Sequence, residues 1–290
     1  MGVFDGVHKG HFALLFKTIE RAKELNTHSV VITYYPHPKH VLNINPSLKM
    51  LQTIDERVQR FAKLGFDDVI IIPFSREFAS IPPDVYIKKY LVGILKVKAI
   101  IIGYDHNFGS GKDGGYDLLR SMSEEYNFEV DQISRIDYDQ QTISSTAIRE
   151  ALKVGDVSLA ASYLDYNYSI FGKVITGNRL GTGLGFPTVN LKLTDDEKIL
   201  PAIGVYAVLI KWNMTFYKAM CNIGTRPTIE GERLTIEAHI FDFDLDIYNE
   251  NISIIFIERL RDEQRFDTIN ALVEQLVKDK SKAVKLLEKY

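Results

Sequence analysis

The order in which helical and strand-like patterns follow one another constrains this chain most, and that order changes at about residue 166. Before it the two patterns alternate. Apolar residues recur at helical spacing at Phe12, Leu15, Phe16, Ile19 and Ala22, and Ser29 to Tyr35 is then a β-rich run ending at Pro36. Thr53 to Glu56 has the form of a capping box and opens a helix through Leu64. Val69 to Ile72 is a short buried-strand run, and Pro82-Pro83 opens a helix with Val85, Tyr86, Tyr90 and Leu91 on its apolar side. Val97 to Ile102 is a third strand run ending in a Gly-rich turn, followed by a helix over Leu118 to Tyr126 and a strand over Phe128 to Ile133. This alternation predicts a parallel sheet covered by helices, with ligands held at the carboxyl ends of its strands.

After residue 166 strands follow strands: Ile170 to Thr176, Val205 to Trp212, Phe216 to Asn222, Leu234 to Phe241 and Ile252 to Ile257, with Gly, Asn and Pro between them. A small antiparallel β-barrel is expected. A last helix carries Ile269, Leu272, Val273 and Leu276 on one face, and its Lys-rich end (Lys278, Lys280, Lys282, Lys285) reads as a solvated face. The domain boundary is placed within 164–168, giving domains 1–166 and 167–290.

Composition narrows the partners. With 35 Lys and Arg against 38 Asp and Glu, the net charge of −3 supports neither a nucleic-acid binder nor a polybasic membrane-surface protein. An anionic ligand must therefore be held by a local site. Cys221 is the only cysteine, which excludes an intrachain disulfide and a Cys-rich zinc site and leaves a small buried apolar role. No apolar run has the length of a membrane span. The start, MGVFDGVHKGH, fits neither a signal peptide nor a myristoylation site, since Gly6 stands where Ser or Thr is needed. A cytoplasmic location is expected.

Three segments of the first half carry chemistry. In Gly2-Val3-Phe4-Asp5-Gly6-Val7-His8-Lys9-Gly10-His11 a Gly-rich turn opens a helix, with two histidines three residues apart. Glycine permits close approach to a phosphate, the helix start supplies N–H groups, and imidazoles can donate to phosphate oxygens as charge builds. The plainer alternative is a surface turn with incidental histidines; zinc lacks a third ligand nearby. Ser144-Ser145-Thr146 with Arg149 one turn on could grip an anion, or simply cap a helix. Gly103 to Gly109 follows a strand on the ligand side of the sheet. Gly109 to Lys112 is no P-loop, because Asp113 follows the lysine and His106 stands at the first glycine.

In the second half Gly172, Gly177, Gly181, Gly183 and Gly185 precede Phe186-Pro187-Thr188-Val189-Asn190. The glycines indicate a tight, close-approach loop. Thr188 and Asn190, two apart in an extended segment, face the same way and suit a Mg²⁺ ion that keeps waters and substrate phosphates. In Leu234 to Phe241, alternation puts Ile236, Ala238 and Ile240 on one face and Thr235, Glu237, His239 and Phe241 on the other. Glu237 is a candidate general base for a hydroxyl; its plainer role is an exposed carboxylate paired with a cation.

Together these motifs resemble the bacterial bifunctional riboflavin kinase/FMN adenylyltransferase (FAD synthetase) family. GxFDGxHxGH matches Gly2 to His11, T-aromatic-x-PHP matches Thr33 to Pro38, GxDxxFG matches Gly103 to Gly109, and SSTxIR matches Ser144 to Arg149. The kinase patterns appear at Gly172 to Asn190, Gly204 to Val208, Asn222 to Thr228, Glu237 to Phe243 and Leu260 to Phe266.

The resemblance implies a Rossmann-like nucleotidyltransferase domain followed by the barrel, ATP as co-substrate, Mg²⁺, and riboflavin and FMN as partners. It implies that His8 and His11 hold ATP phosphates and stabilise charge at the α-phosphorus. Gly2, Phe4, Asp5, Gly6, Gly10, Ser145, Thr146 and Arg149 would contact the nucleotide, and Asp105 and Phe108 would lie near the flavin. In the second domain Gly177, Gly181, Gly185, Phe186 and Pro187 would close over ATP, Thr188 and Asn190 would bind the metal, Glu237 would be the base, and Arg261 and Phe266 would lie near flavin. Two departures stand out. His106 replaces the usual Phe, and the family has a strand ahead of the GxFDG turn, whereas this sequence opens on Met1-Gly2; the neighbouring strand edges are then expected to be exposed. A riboflavin kinase with an impaired first domain, and a flavin- or nucleotide-binding regulator without turnover, are the alternative readings.

Overall fold

The alternating half folds as helices on parallel strands. The computed structural model describes residues 1–104, 107–133, 143–177, 181–228 and 231–290, in two units, Met1–Ser145 and Thr146–Tyr290. The first contains α1 (Lys9–Glu24), β1 (Val30–Tyr35), α2 (Pro38–Val41), α3 (Ile54–Leu64), β2 (Asp68–Pro73), α4 (Arg76–Ala79), α5 (Pro83–Tyr86), β3 (Ala99–Gly103), α6 (Tyr116–Tyr126) and β4 (Glu129–Ile133). The capping box at α3 is formed: the Thr53 hydroxyl accepts the Glu56 N–H (3.2 Å) and the Glu56 carboxylate accepts the Thr53 N–H (2.9 Å). Gly65 closes α3 at a φ of 94°. The helix expected from Pro82-Pro83 runs on after α5 as a π-helical stretch, Ile87–Ile94, burying Ile87 and Leu91.

The strands pair in parallel, β1 with β2 from Val30↔Asp68 to Tyr35↔Pro73, and β3 with β4 from Ala99↔Glu129 to Gly103↔Ile133. No described strand joins β1 to β3, so two separate ribbons result. Between them lies a cavity of about 500 Å³ lined by Met1, Val30, Ile32, Leu91, Ile100 and neighbouring residues. Gly2 donates its N–H to the Ile32 carbonyl (2.9 Å), so the chain leaves the cavity alongside β1.

The second unit contains most of α7 (Ser145–Lys153), then α8 (Val157–Leu164), β5 (Ser169–Ile175), β6 (Val189–Leu193), β7 (Gly204–Trp212), β8 (Thr215–Thr228), β9 (Gly231–Ile240), β10 (Asn251–Arg261) and α9 (Ile269–Leu287). The strands close into a barrel in the order β10-β5-β6-β9-β8-β7. Alternation fills its interior with fully buried side chains, among them Val174, Tyr206, Val208, Cys221, Ala238, Ile254 and Phe256. Burial pushes the Cys221 thiol well up, away from reactivity. Outside, Val205, Ala207, Leu209, Met220 and Leu260 pack with Ala283 and Leu287 of α9. The buried side of α9 therefore lies further along than its sequence pattern suggests, and Ile269 is exposed. Leu152 accepts a hydrogen bond from the Ala202 N–H, and Ser158 bonds Ile257 and Glu258 of β10. These contacts tie α7 and α8 to the barrel.

Successive residues of a parallel strand present their N–H and C=O groups to opposite neighbours. Since the Ile32 carbonyl faces Gly2, the Val30 and Ile32 amides face the cavity while Val31 and Thr33 face β2. Site-resolved hydrogen exchange should show the Val30 and Ile32 amides exchanging roughly tenfold or more faster than Val31 and Thr33. Equal protection of the four would mean that the β1 edge is covered.

Candidate active sites

In the first unit the turn from Gly2 to His11 brings its polar groups together through an unusual backbone. Phe4 (φ 52°), Gly6 (φ 90°) and Val7 (φ 38°) all take the left-handed region, which costs about 1–3 kcal/mol at each of the two non-glycine residues. Core packing and buried hydrogen bonds hold it there. Phe4 and Val7 are buried with Leu15, Val31 and Phe61, and the Phe4 ring meets Phe61 edge-on at 5.7 Å. The Asp5 carboxylate, 2% exposed, is turned inward; it accepts the N–H groups of Leu51 (3.0 Å) and Gln52 (3.0 Å). At Gly10 a Cβ would stand 2.6 Å from the Ile143 carbonyl, so only glycine lets that segment close over the turn.

His8 is buried and His11 half-buried, and their rings stack at 3.7 Å. Hydrogen bonds fix which nitrogens carry protons. Ser145 donates from Oγ to the Asp5 carbonyl (2.8 Å), so at 3.3 Å from His8 Nε2 it acts as acceptor, which places the His8 proton on Nε2. The His8 backbone N–H donates to His11 Nδ1 (3.3 Å), which leaves the His11 proton on Nε2. Burial first, then the charges of His8 and Arg57, hold His11 well below the ordinary histidine range. The result is a neutral N–H donor in the first turn of a sixteen-residue helix, whose N-terminal dipole favours an anion. Thr146 is exposed, and Arg149 is buried on α7.

In the second unit the site is set by strand register. Glu237 of β9 pairs with Asn190 of β6 on one side and Asn222 of β8 on the other. A carboxylate and two carboxamides therefore share one face of three adjacent strands, opposite buried Ile236, Ala238 and Ile240. The loop before β6 winds around Gly181, whose carbonyl accepts the N–H groups of Leu184 (3.0 Å) and Phe186 (2.9 Å). A Cβ on Gly181 would strike the Phe186 carbonyl, and one on Gly177 would strike the Asn190 carboxamide. Gly185 takes a φ of 80°. His239, buried two residues beyond Glu237, bonds through Nδ1 to the Pro187 carbonyl (2.8 Å) and meets the Phe186 ring at 5.2 Å. Burial is the main cause holding His239 below its usual range. This arrangement offers a base, hard oxygen donors and a loop that can close on a phosphate.

Comparison with known proteins places both halves of the chain in known families. An FAD synthetase family model matches residues 1–147 and a riboflavin kinase model matches residues 164–287. The bifunctional riboflavin kinase/FMN adenylyltransferase of Haemophilus influenzae is 37% identical over 280 residues, covering 96% of this chain and 90% of that protein. Its counterpart in Bacillus subtilis is 34% identical, with 98% and 90% covered. The chain belongs to the bifunctional riboflavin kinase/FMN adenylyltransferase family. A crystal structure described as the macrolide-efflux protein of Streptococcus pneumoniae has the same fold, at a TM-score of 0.89 and 32% identity, covering 97% of this chain and 91% of that one. Among the described residues of the present chain, no helix is long and apolar enough to cross a membrane.

The remaining family positions fall as follows. Asp105 lies outside the described residues. Phe108 is buried in the core against Tyr86, at 5.8 Å between rings. Arg261 pairs with the buried Asp279 (2.8 Å) and lies 5.8 Å from the half-buried Phe266 ring. The pattern-based reading did not single out Arg57, Asn222 or His239 as site residues. Arg57 could have been noticed as a charge four residues before Phe61 on the apolar side of α3, and Asn222 only through the register.

A histidine whose folded pKa is depressed takes up its proton on unfolding, so its contribution is lost as pH falls through the unfolded value near 6.5. His11 should therefore make the unfolding free energy fall from pH 7.5 to 5.5 with a slope approaching about 1.4 kcal/mol per pH unit. Urea unfolding at several pH values should show a shallower dependence for His11→Gln, and an identical one would mean that folding does not depress the His11 pKa.

Proposed function

We propose that the chain carries both activities of its family: phosphorylation of riboflavin to FMN by ATP in residues 167–290, and adenylylation of FMN to FAD by a second ATP in residues 1–166. The observation that carries this reading is that one unit holds the Asn190–Glu237–Asn222 row and the other, separately, holds the stacked, proton-assigned His8 and His11. Free ATP as co-substrate fits work in the cytoplasm.

In the kinase site Glu237 takes the proton of the riboflavin 5′-hydroxyl as that oxygen attacks the γ-phosphorus. The loop from Gly177 to Pro187 covers the nucleotide, with His239 anchoring its Pro187 end. Thr188 and Asn190 supply a hydroxyl and an amide oxygen, a donor set that fits Mg²⁺, and the open space at Gly177 is what the Asn190 carboxamide fills. When bound, that ion would neutralise charge on the ATP phosphates. Arg261, held by Asp279, and Phe266 border the flavin.

In the adenylyltransferase site no covalent nucleophile is needed. The FMN phosphate attacks the α-phosphorus and pyrophosphate leaves, while His11 Nε2–H, His8 and the start of α1 meet the developing charge. Gly2, Phe4, Gly6 and Gly10 shape the turn, Asp5 anchors it, and Ser145, Thr146 and Arg149 serve the nucleotide side. Asp105 and Phe108 are assigned to the flavin side.

Purified chain with riboflavin, excess ATP and Mg²⁺ should form FMN and then FAD, resolved by chromatography. Glu237→Gln should lower FMN formation by roughly 10²–10⁴-fold while supplied FMN is still converted to FAD; His11→Ala should do the reverse. Equal loss of both activities in a folded variant would refute separate sites, and FMN without FAD from the parent would leave only the kinase. Asn190→Ala should raise the Mg²⁺ concentration needed for half-maximal kinase activity by about tenfold or more; an unchanged requirement would remove Asn190 from the metal.

A further inference from the structure

We propose that Arg57 is a positioning residue for adenylyl transfer, holding the histidine turn from beneath through Thr33 and Asp5 without touching substrate. The proposal rests on the adenylyltransferase reading above. Arg57 stands one turn into α3 and is 2% exposed. Its Nη1 donates to Thr33 Oγ1 (3.1 Å) and to the Tyr34 carbonyl (3.4 Å), and its Nη2 lies 3.9 Å from the Asp5 carboxylate. Thr33, fully buried, donates in turn to the Val3 carbonyl (3.0 Å).

Two relays therefore start from one guanidinium. The first runs through Thr33 to Val3, immediately before the left-handed Phe4. The second runs through Asp5, whose carbonyl accepts the Ser145 hydroxyl that meets His8. Asp5 also takes the Leu51 and Gln52 amides, and Thr53 caps α3 immediately afterwards, so the helix that carries Arg57 and the turn it supports are locked to each other.

A purely structural filler would not need this side chain. A guanidinium offers donors in a fixed planar fork, which can address a hydroxyl, a carbonyl and a carboxylate lying in different directions. Lysine keeps the charge but reaches as a single point. The same buried cation lies close enough to His11 to help keep that ring uncharged, so its position serves both the geometry and the protonation of the donor. Displacement of reacting groups by a fraction of an ångström is enough to lower turnover while leaving substrate affinity in place.

The test compares Arg57→Met, Arg57→Lys and Thr33→Val in the full chain. FAD formation from supplied FMN is measured across ATP concentrations, with riboflavin phosphorylation in the same sample as a second readout. Arg57→Met should lower kcat for adenylyl transfer about a hundredfold with KM for ATP within about threefold, and Arg57→Lys should recover about tenfold of that loss. Thr33→Val, isosteric and without change of charge, should lower the same kcat about tenfold, and kinase kcat should stay within about twofold in all three.

Thr33→Val decides the matter if Arg57→Met fails to fold. Parental adenylyl-transfer kcat in folded Thr33→Val or Arg57→Met overturns the positioning role, as does a loss confined to KM. A parent chain that makes FMN but no FAD overturns the adenylyltransferase reading and the role of Arg57 with it.

Discussion

The buried carboxylate of Asp5 is the interaction on which the first unit turns. Phe4 and Val7 occupy backbone conformations that neither side chain favours. They persist because Asp5, next to Phe4, is fastened to two backbone amides and faces a buried cation. From that fastening follow the stacking of His8 on His11, the docking of Ser145, and the start of α1 at the place where its dipole is useful. Strain in the turn and order in the site are thus two aspects of one arrangement.

Both units meet the same difficulty, that of gathering polyphosphate on a chain whose net charge is −3. Neither uses a broad positive field. In the proposed sites, one combines a helix start with imidazole N–H donors, the other a tight loop with oxygen donors and a carboxylate. Local dipoles and enclosed donors are stronger in a partly dry site than the same groups in water, which is why a mildly acidic protein can bind highly charged nucleotides.

Periodicity and turn chemistry carried most of the fold. The capping box at Thr53, the run to Tyr35 and the alternation around Glu237 all became the elements their spacing indicates. What escaped was set by tertiary context. Val189–Leu193 is a strand because it bridges β5 and β9, and Ile87–Ile94 widened to a π-helix within a pattern that reads as an ordinary helix. Ile269 is exposed because the terminal helix meets the barrel further along. The gathering of polar groups was legible where one short segment holds them, as in the stacked His8 and His11. It was not legible where residues distant in sequence meet, as Arg57 meets Thr33, Asn222 meets Glu237 and His239 meets Pro187.

The row of Asn190, Glu237 and Asn222 has one more consequence. These three residues meet only because three strands are aligned residue for residue, and a slip of one position on any strand would carry its member to the other face. A barrel closed in the wrong alignment would bury or scatter these polar groups rather than gather them on one face.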